Sequence, residues 1–83
     1  MKIKVFIKEG CPKCPPAKEL AEDLANKGIK VEFFDMDTPD GLAEASMFNV
    51  MATPTIIIIN DEDKEEKAYR GVVPQAEEII RGS

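Results

Sequence analysis

The sequence has no histidine and no tryptophan, and only two of its 83 residues are cysteine. Without histidine, a cysteine–histidine pair is excluded and the commonest metal ligand is missing. Basic residues are in the minority. Eleven lysines and arginines face sixteen aspartates and glutamates, a formal net charge of −5. Nucleic acid and anionic membrane surfaces both call for a basic excess, so neither is an expected partner. No apolar run approaches the ~18 residues of a membrane span; the longest, Thr55 to Ile59, has the length of a strand. Strand-like sequence begins at once, with no leader-like stretch before it, and a cytoplasmic location is expected. There a stapling disulfide would be kept reduced, which turns attention to catalysis or metal binding.

Eighty-three residues suit one domain, 1–83, and the mix of 43% hydrophobic and 33% charged residues is that of a globular chain. Lys2 to Lys8 alternates strictly, with Ile3, Val5 and Ile7 on one face and Lys4, Phe6 and Lys8 on the other, and predicts a strand. Ala17, Leu20, Ala21, Leu24 and Ala25 form an apolar helical stripe that ends at Asn26-Lys27-Gly28. Ile29 to Met36 is a second strand, with Ile29, Val31 and Phe33 on one face, which completes a right-handed βαβ unit. Thr38 caps and Pro39 opens a helix to about Phe48, with Leu42, Ala45 and Met47 or Phe48 inward. Four consecutive isoleucines, Ile56 to Ile59, predict a central strand covered on both faces. After the polar turn Asn60 to Lys64, the charged segment Glu66 to Arg70 reads as its antiparallel edge partner. Gly71 ends that strand, and Pro74 to Arg81 is a last helix with Ala76, Ile79 and Ile80 inward. Met36, Met47 and Met51 are expected to fill gaps in the core, and Asp61-Glu62-Asp63 to be a solvated turn.

The two cysteines stand in Gly10-Cys11-Pro12-Lys13-Cys14-Pro15, where the first strand hands over to the first helix. A dithiol at that turn of a βαβ unit points to thiol–disulfide exchange. Only a thiolate attacks a disulfide, and an unperturbed cysteine has a pKa near 8.5. Cys11 is expected at the helix N-terminus, where the Lys13 and Cys14 N–H groups and the Lys13 ammonium favour an anion. Cys11 is therefore the expected nucleophile, and Cys14, one turn along and more buried, the resolving thiol. Pro15 and Pro16 remove N–H donors, and a loose or delayed helix start is expected there.

The element order β-α-β-α-β-β-α, Cys11-Pro12-Lys13-Cys14 at the first strand–helix junction and Thr53-Pro54 before the third strand together resemble the thioredoxin fold in its minimal, glutaredoxin-like form. The resemblance implies an α/β fold with a four-stranded mixed sheet in the order 2-1-3-4. The first and last helices lie on one face and the middle helix on the other. It implies a cis peptide bond before Pro54, close to the cysteines, so that the main chain of Thr53 can pair with an extended substrate. It further implies disulfide-containing protein substrates, no bound cofactor and, as electron source, a thioredoxin-type reductase, with a monomer as the expected state. Lys8 matches the glutaredoxin cation that takes a glutathione carboxylate, which keeps a glutathione-dependent activity as the alternative. Lys13, Thr53 and Gly71-Val72-Val73-Pro74 depart from the glutaredoxin pattern, and Val5 stands where thioredoxins have a buried aspartate.

Bland readings compete at several positions. Lys8 and Lys13 can be ordinary solvated lysines, and Tyr69 edge-strand packing. Asp35 and Asp37 are candidates for a proton acceptor near Cys14. A different class, metal handling, would use the Cys11 and Cys14 thiolates as half of a zinc or copper(I) site. The chain supplies no further cysteine and no histidine to complete it, so no metal is expected within one chain.

Overall fold

Strict alternation in the first segment becomes strand β1, Lys2–Ile7, and both of its faces are put to use. Ile3 and Val5 enter one core and Phe6 the other, all fully buried. A computed structural model describes residues 1–81, and its further elements are α1 Cys14–Asn26, β2 Lys30–Asp35, α2 Pro39–Met47, β3 Thr55–Ile59, β4 Glu65–Arg70 and α3 Ala76–Arg81. The sheet order is β2-β1-β3-β4, with β1 parallel to β2 and antiparallel to β3, and β3 antiparallel to β4. This is the order expected, a four-stranded mixed sheet with three helices.

All five residues of β3 are buried, as a central strand's should be. Ile56 and Ile58 join Ile3, Val5, Leu20, Ala21, Leu24, Tyr69 and Ile79 beneath α1 and α3. Ile57 and Ile59 join Phe6, Ala45 and Val50 beneath α2, with Phe34 and Phe48 packed against them. Phe6 and Phe34 stack at 5.2 Å between ring centroids.

Helix α2 begins as its sequence indicated. The Thr38 hydroxyl accepts the Gly41 N–H at 3.1 Å, and Pro39 holds the first helical position. Its inward stripe is nonetheless Gly41 and Ala45, continued by Phe48, and Leu42 is exposed. The cause is contact with β2: a Cβ on Gly41 would lie 1.9 Å from the Asp35 carbonyl oxygen. So close an approach fixes the helix rotation, and Leu42, one residue or about 100° further round, turns to solvent.

Other side chains expected inside also lie outside. Met47 and Met51 are exposed, Met51 at 92%. Met47 follows the same rotation of α2, and Met51 sits in the loop beyond it. Ala25 and Ile80 flank the buried stripes of their helices rather than joining them. Phe33 is half exposed because β2 is an edge strand, open along one flank. Met36 does pack against the core beneath α2.

One cation is drawn into the α2 face. The Lys4 ammonium pairs with Glu44 of α2 and lies 3.9 Å from Glu32 of β2. It also stands 5.2 Å and 5.1 Å from the Phe34 and Phe48 ring centroids, a cation–π arrangement with two walls. Glu32 also attracts Lys2 at 3.4 Å, which, with Asp63 at 3.6 Å, raises the Lys2 pKa.

Candidate active site

Strand β1 ends at Ile7, and the chain turns through Lys8, Glu9 and Gly10 to reach the cysteines. Gly10 takes φ +78°, a left-handed conformation suited to glycine. The turn is tied to the end of β2: the Glu9 N–H donates to Asp37 Oδ2 at 3.1 Å, and the Asp37 N–H donates to Asp35 Oδ1 at 2.8 Å. Both aspartates are exposed, and their carboxylates brace this loop by accepting main-chain N–H groups.

Cys11 and Cys14 are joined as a disulfide, with their Cα atoms 5.3 Å apart. Their surroundings differ. Cys14 opens α1 and heads its buried stripe, followed by Ala17, Leu20, Ala21 and Leu24; it is 3% exposed. Cys11 is half-buried in the preceding turn, beside exposed Pro12 and Lys13. The single-turn offset between the cysteines thus leaves Cys11 partly exposed and Cys14 covered.

The helix start corrects one expectation. Pro15 and Pro16 neither delay nor loosen α1, which runs from Cys14 with Lys13 as its N-cap. They occupy the second and third helical positions, whose N–H groups have no intrahelical acceptor in any helix, so no hydrogen bond is lost. Regular bonding begins at Ala17, whose N–H donates to the Lys13 carbonyl at 3.3 Å. The prolines do strip donors from this end of the helix. Pro12, Pro15 and Pro16 carry no N–H, and the Cys14 N–H is engaged with the Cys11 carbonyl at 3.3 Å. The Lys13 N–H is what remains for an anion, one donor where two were expected.

The Thr53–Pro54 peptide bond is cis, and Pro54 is buried. Thr55 pairs with Phe6 across the sheet, so this loop and the Cys11 turn leave the sheet at the same end. Thr53 is half-buried, and among the described residues its N–H and carbonyl take no hydrogen bond. Its neighbours are held: the Thr55 hydroxyl donates to the Ala52 carbonyl at 2.8 Å, the Gly71 N–H to the Pro54 carbonyl at 2.8 Å, and the Arg70 guanidinium to the Phe48 carbonyl at 2.9 Å. Sequence reasoning gave Thr55 and Arg70 no role beyond a thioredoxin-like pattern around Thr53-Pro54-Thr55 and Arg70-Gly71. The available signals were a lone hydroxyl at the head of an isoleucine run and a cation next to the Gly71 turn.

Lys8 lies apart from this group. With Ile7, Glu9, Lys18 and Asp35 it lines a cleft of about 230 Å³ that none of Cys11, Cys14, Thr53 or Pro54 borders. The fold therefore brings Cys11, Pro12, Lys13 and Cys14 into one turn, sets Thr53 and Pro54 at the same sheet end, and places Lys8 in a neighbouring cleft.

A pair of cysteines, one covered and one partly exposed, in the strand-to-helix turn of this fold, belongs to the thiol–disulfide oxidoreductases. Comparison with known proteins makes the assignment narrower. The thioredoxin-domain family model matches residues 1–81. A thioredoxin of Methanocaldococcus jannaschii is 37% identical over 65 residues, covering 74% of this chain and 73% of that protein. A Brassica campestris H-type thioredoxin is 36% identical over 70 residues, covering 81% of this chain and 54% of that longer protein. Among solved structures, a malaria-parasite thioredoxin-2 superposes with a TM-score of 0.80 at 21% identity, over 95% of this chain and 76% of that one. The chain belongs to the thioredoxin family. No helix among the described residues is long and apolar enough to cross a membrane.

Proposed function

We propose that the protein reduces disulfides in other proteins, with Cys11 as nucleophile and Cys14 as resolving thiol. The observation that carries this reading is the unequal burial of the two cysteines. The Cys11 thiolate attacks one sulfur of the substrate disulfide. The substrate S–S bond breaks, its departing thiolate takes a proton from water, and a mixed disulfide remains on Cys11. Cys14, deprotonated, then attacks the Cys11 sulfur, releases the second substrate thiol and leaves the Cys11–Cys14 disulfide. Two electrons have passed to the substrate. The Lys13 N–H and ammonium favour the Cys11 thiolate, Pro12 shapes the turn, and Pro54 fixes the loop that offers the Thr53 main chain to an extended substrate.

Recycling requires a two-electron reductant, either one dithiol or two equivalents of a monothiol. A thioredoxin-type reductase is the reading favoured by the family; glutathione, held in part by Lys8, is the alternative. The test follows NADPH consumption in two arms, one with such a reductase and one with glutathione and glutathione reductase. Turnover in the first arm alone, abolished by Cys11→Ser, supports the proposal. Turnover in the second alone assigns a glutaredoxin-type activity. Silence in both, with stoichiometric metal in the purified protein, overturns the redox roles. Cys14→Ser tests the order of attack: it is expected to accumulate a mixed disulfide with substrate, visible by intact mass, where Cys11→Ser forms none.

A further inference from the structure

The loop from Phe48 to Pro54 has no regular structure of its own, yet three of its carbonyls are tied down from outside it. Phe48 is held by Arg70, Ala52 by Thr55 and Pro54 by the N–H of Gly71. The N–H of Val50 also reaches back to the Ala45 carbonyl at 2.8 Å. Thr53 stands between these anchors with its own main-chain groups unpaired among the described residues. Two of the anchors are side chains and can be removed without altering the backbone. The Thr55 hydroxyl lies on a fully buried residue at the first position of β3, and the Arg70 guanidinium reaches from the last position of β4. Glu65 stands 3.6 Å from the same guanidinium and helps orient it.

We propose that Thr55 and Arg70 are positioning residues for substrate binding. They hold the Phe48 and Ala52 carbonyls on the N-terminal side of Thr53, opposite the main-chain anchor of Pro54 by Gly71, so that the Thr53 N–H and carbonyl stay presented as a ready-made strand edge. The inference rests on the reading that the Thr53 main chain pairs with substrate, and it adds which residues set that edge. Neither residue touches the reacting sulfurs. A loosened loop must be reordered each time substrate binds, so the penalty falls on binding and not on sulfur exchange.

The experiment uses a short disulfide-bonded peptide, the same peptide N-methylated on the residue flanking the attacked cysteine, and the small aromatic disulfide dithiobis(nitrobenzoate). The whole protein is assayed as Thr55→Val, which keeps shape and removes the hydroxyl, and as Arg70→Ala, with Thr55→Ser and Arg70→Lys as restoring variants. Each clamp variant is expected to raise KM for the plain peptide about fivefold, the worth of one ordinary hydrogen bond, with kcat unchanged. The rate with dithiobis(nitrobenzoate), which has no main chain to pair, stays at the wild-type level. The restoring variants recover most of the loss. N-methylation raises KM for the wild type and adds little in the clamp variants. If the wild type responds to N-methylation but Thr55→Val and Arg70→Ala keep its KM, and only their melting temperatures fall, the clamp is overturned and the pairing stands. If the wild type is indifferent to N-methylation, the pairing itself fails and the clamp fails with it.

Discussion

Gly41 shows how one missing side chain can fix the placement of a helix. Glycine inside a helix costs about 1 kcal/mol relative to alanine, so helix propensity alone favours replacing it. Packing reverses the sign. An added Cβ would sit 1.9 Å from the Asp35 carbonyl oxygen and 2.5 Å from its carbon, both of them backbone atoms. Neither can swing aside as a flexible side chain would, so α2 must move away from β2. Gly41→Ala is expected to destabilise the oxidised protein by roughly 2 kcal/mol, within the range for overpacked cores. Urea unfolding measures it, and a stabilised variant would refute the contact. The same contact bears on what the sequence made legible. Thr38 and Pro39 announced where α2 begins, because capping is local chemistry carried by adjacent residues. Its rotation was not legible, because it depends on Asp35 of another element, and Leu42 was placed inside for that reason.

At the scale of the element, α1 carries the chemistry. The spacing of Ala17, Leu20, Ala21 and Leu24 was enough to place its buried face, and Cys14 extends that stripe by one turn. What sequence alone misjudged was the start, since proline is harmful inside a helix and harmless in its first turn, and the difference is a matter of two or three residues. The donor-poor N-terminus has a measurable result. Replacing Pro15 and Pro16 together by alanine supplies two further N–H groups near Cys11. The reduced double variant is expected to show a lower Cys11 pKa, read from thiolate ultraviolet absorbance against pH. Its stability should fall by about 1 kcal/mol, because alanine frees the unfolded chain more than proline does. A Cys11 pKa that stays put would mean that the dipole end of α1 does not reach the sulfur. The holding roles of Thr55 and Arg70 escaped sequence reading for a related cause: each bonds a loop carbonyl, and no periodicity or local motif records such a bond.

For the molecule as a whole, two thin cores share one sheet, and each helix is a cover that the domain cannot spare. α3 contributes a single fully buried side chain, Ile79, to the layer that also holds Leu24 and Tyr69. In a domain of this size a lost isoleucine weighs heavily. Ile79→Ala is expected to cost roughly 3 kcal/mol and to lower Tm by ~10–20 °C, as scanning calorimetry would measure. A shift of only a few degrees would show that α3 is dispensable to the core. The sheet order adds a matter of timing. β1 and β2 can pair as soon as Asp35 has been made, but the other edge of β1 is completed only by β3, which begins at Thr55. At about 5–20 residues per second, a ribosome needs some 1–4 s to cover that gap. For that interval the nascent chain carries Ile3, Val5 and Phe6 on a strand with an open edge, exposed to pairing with any other strand nearby.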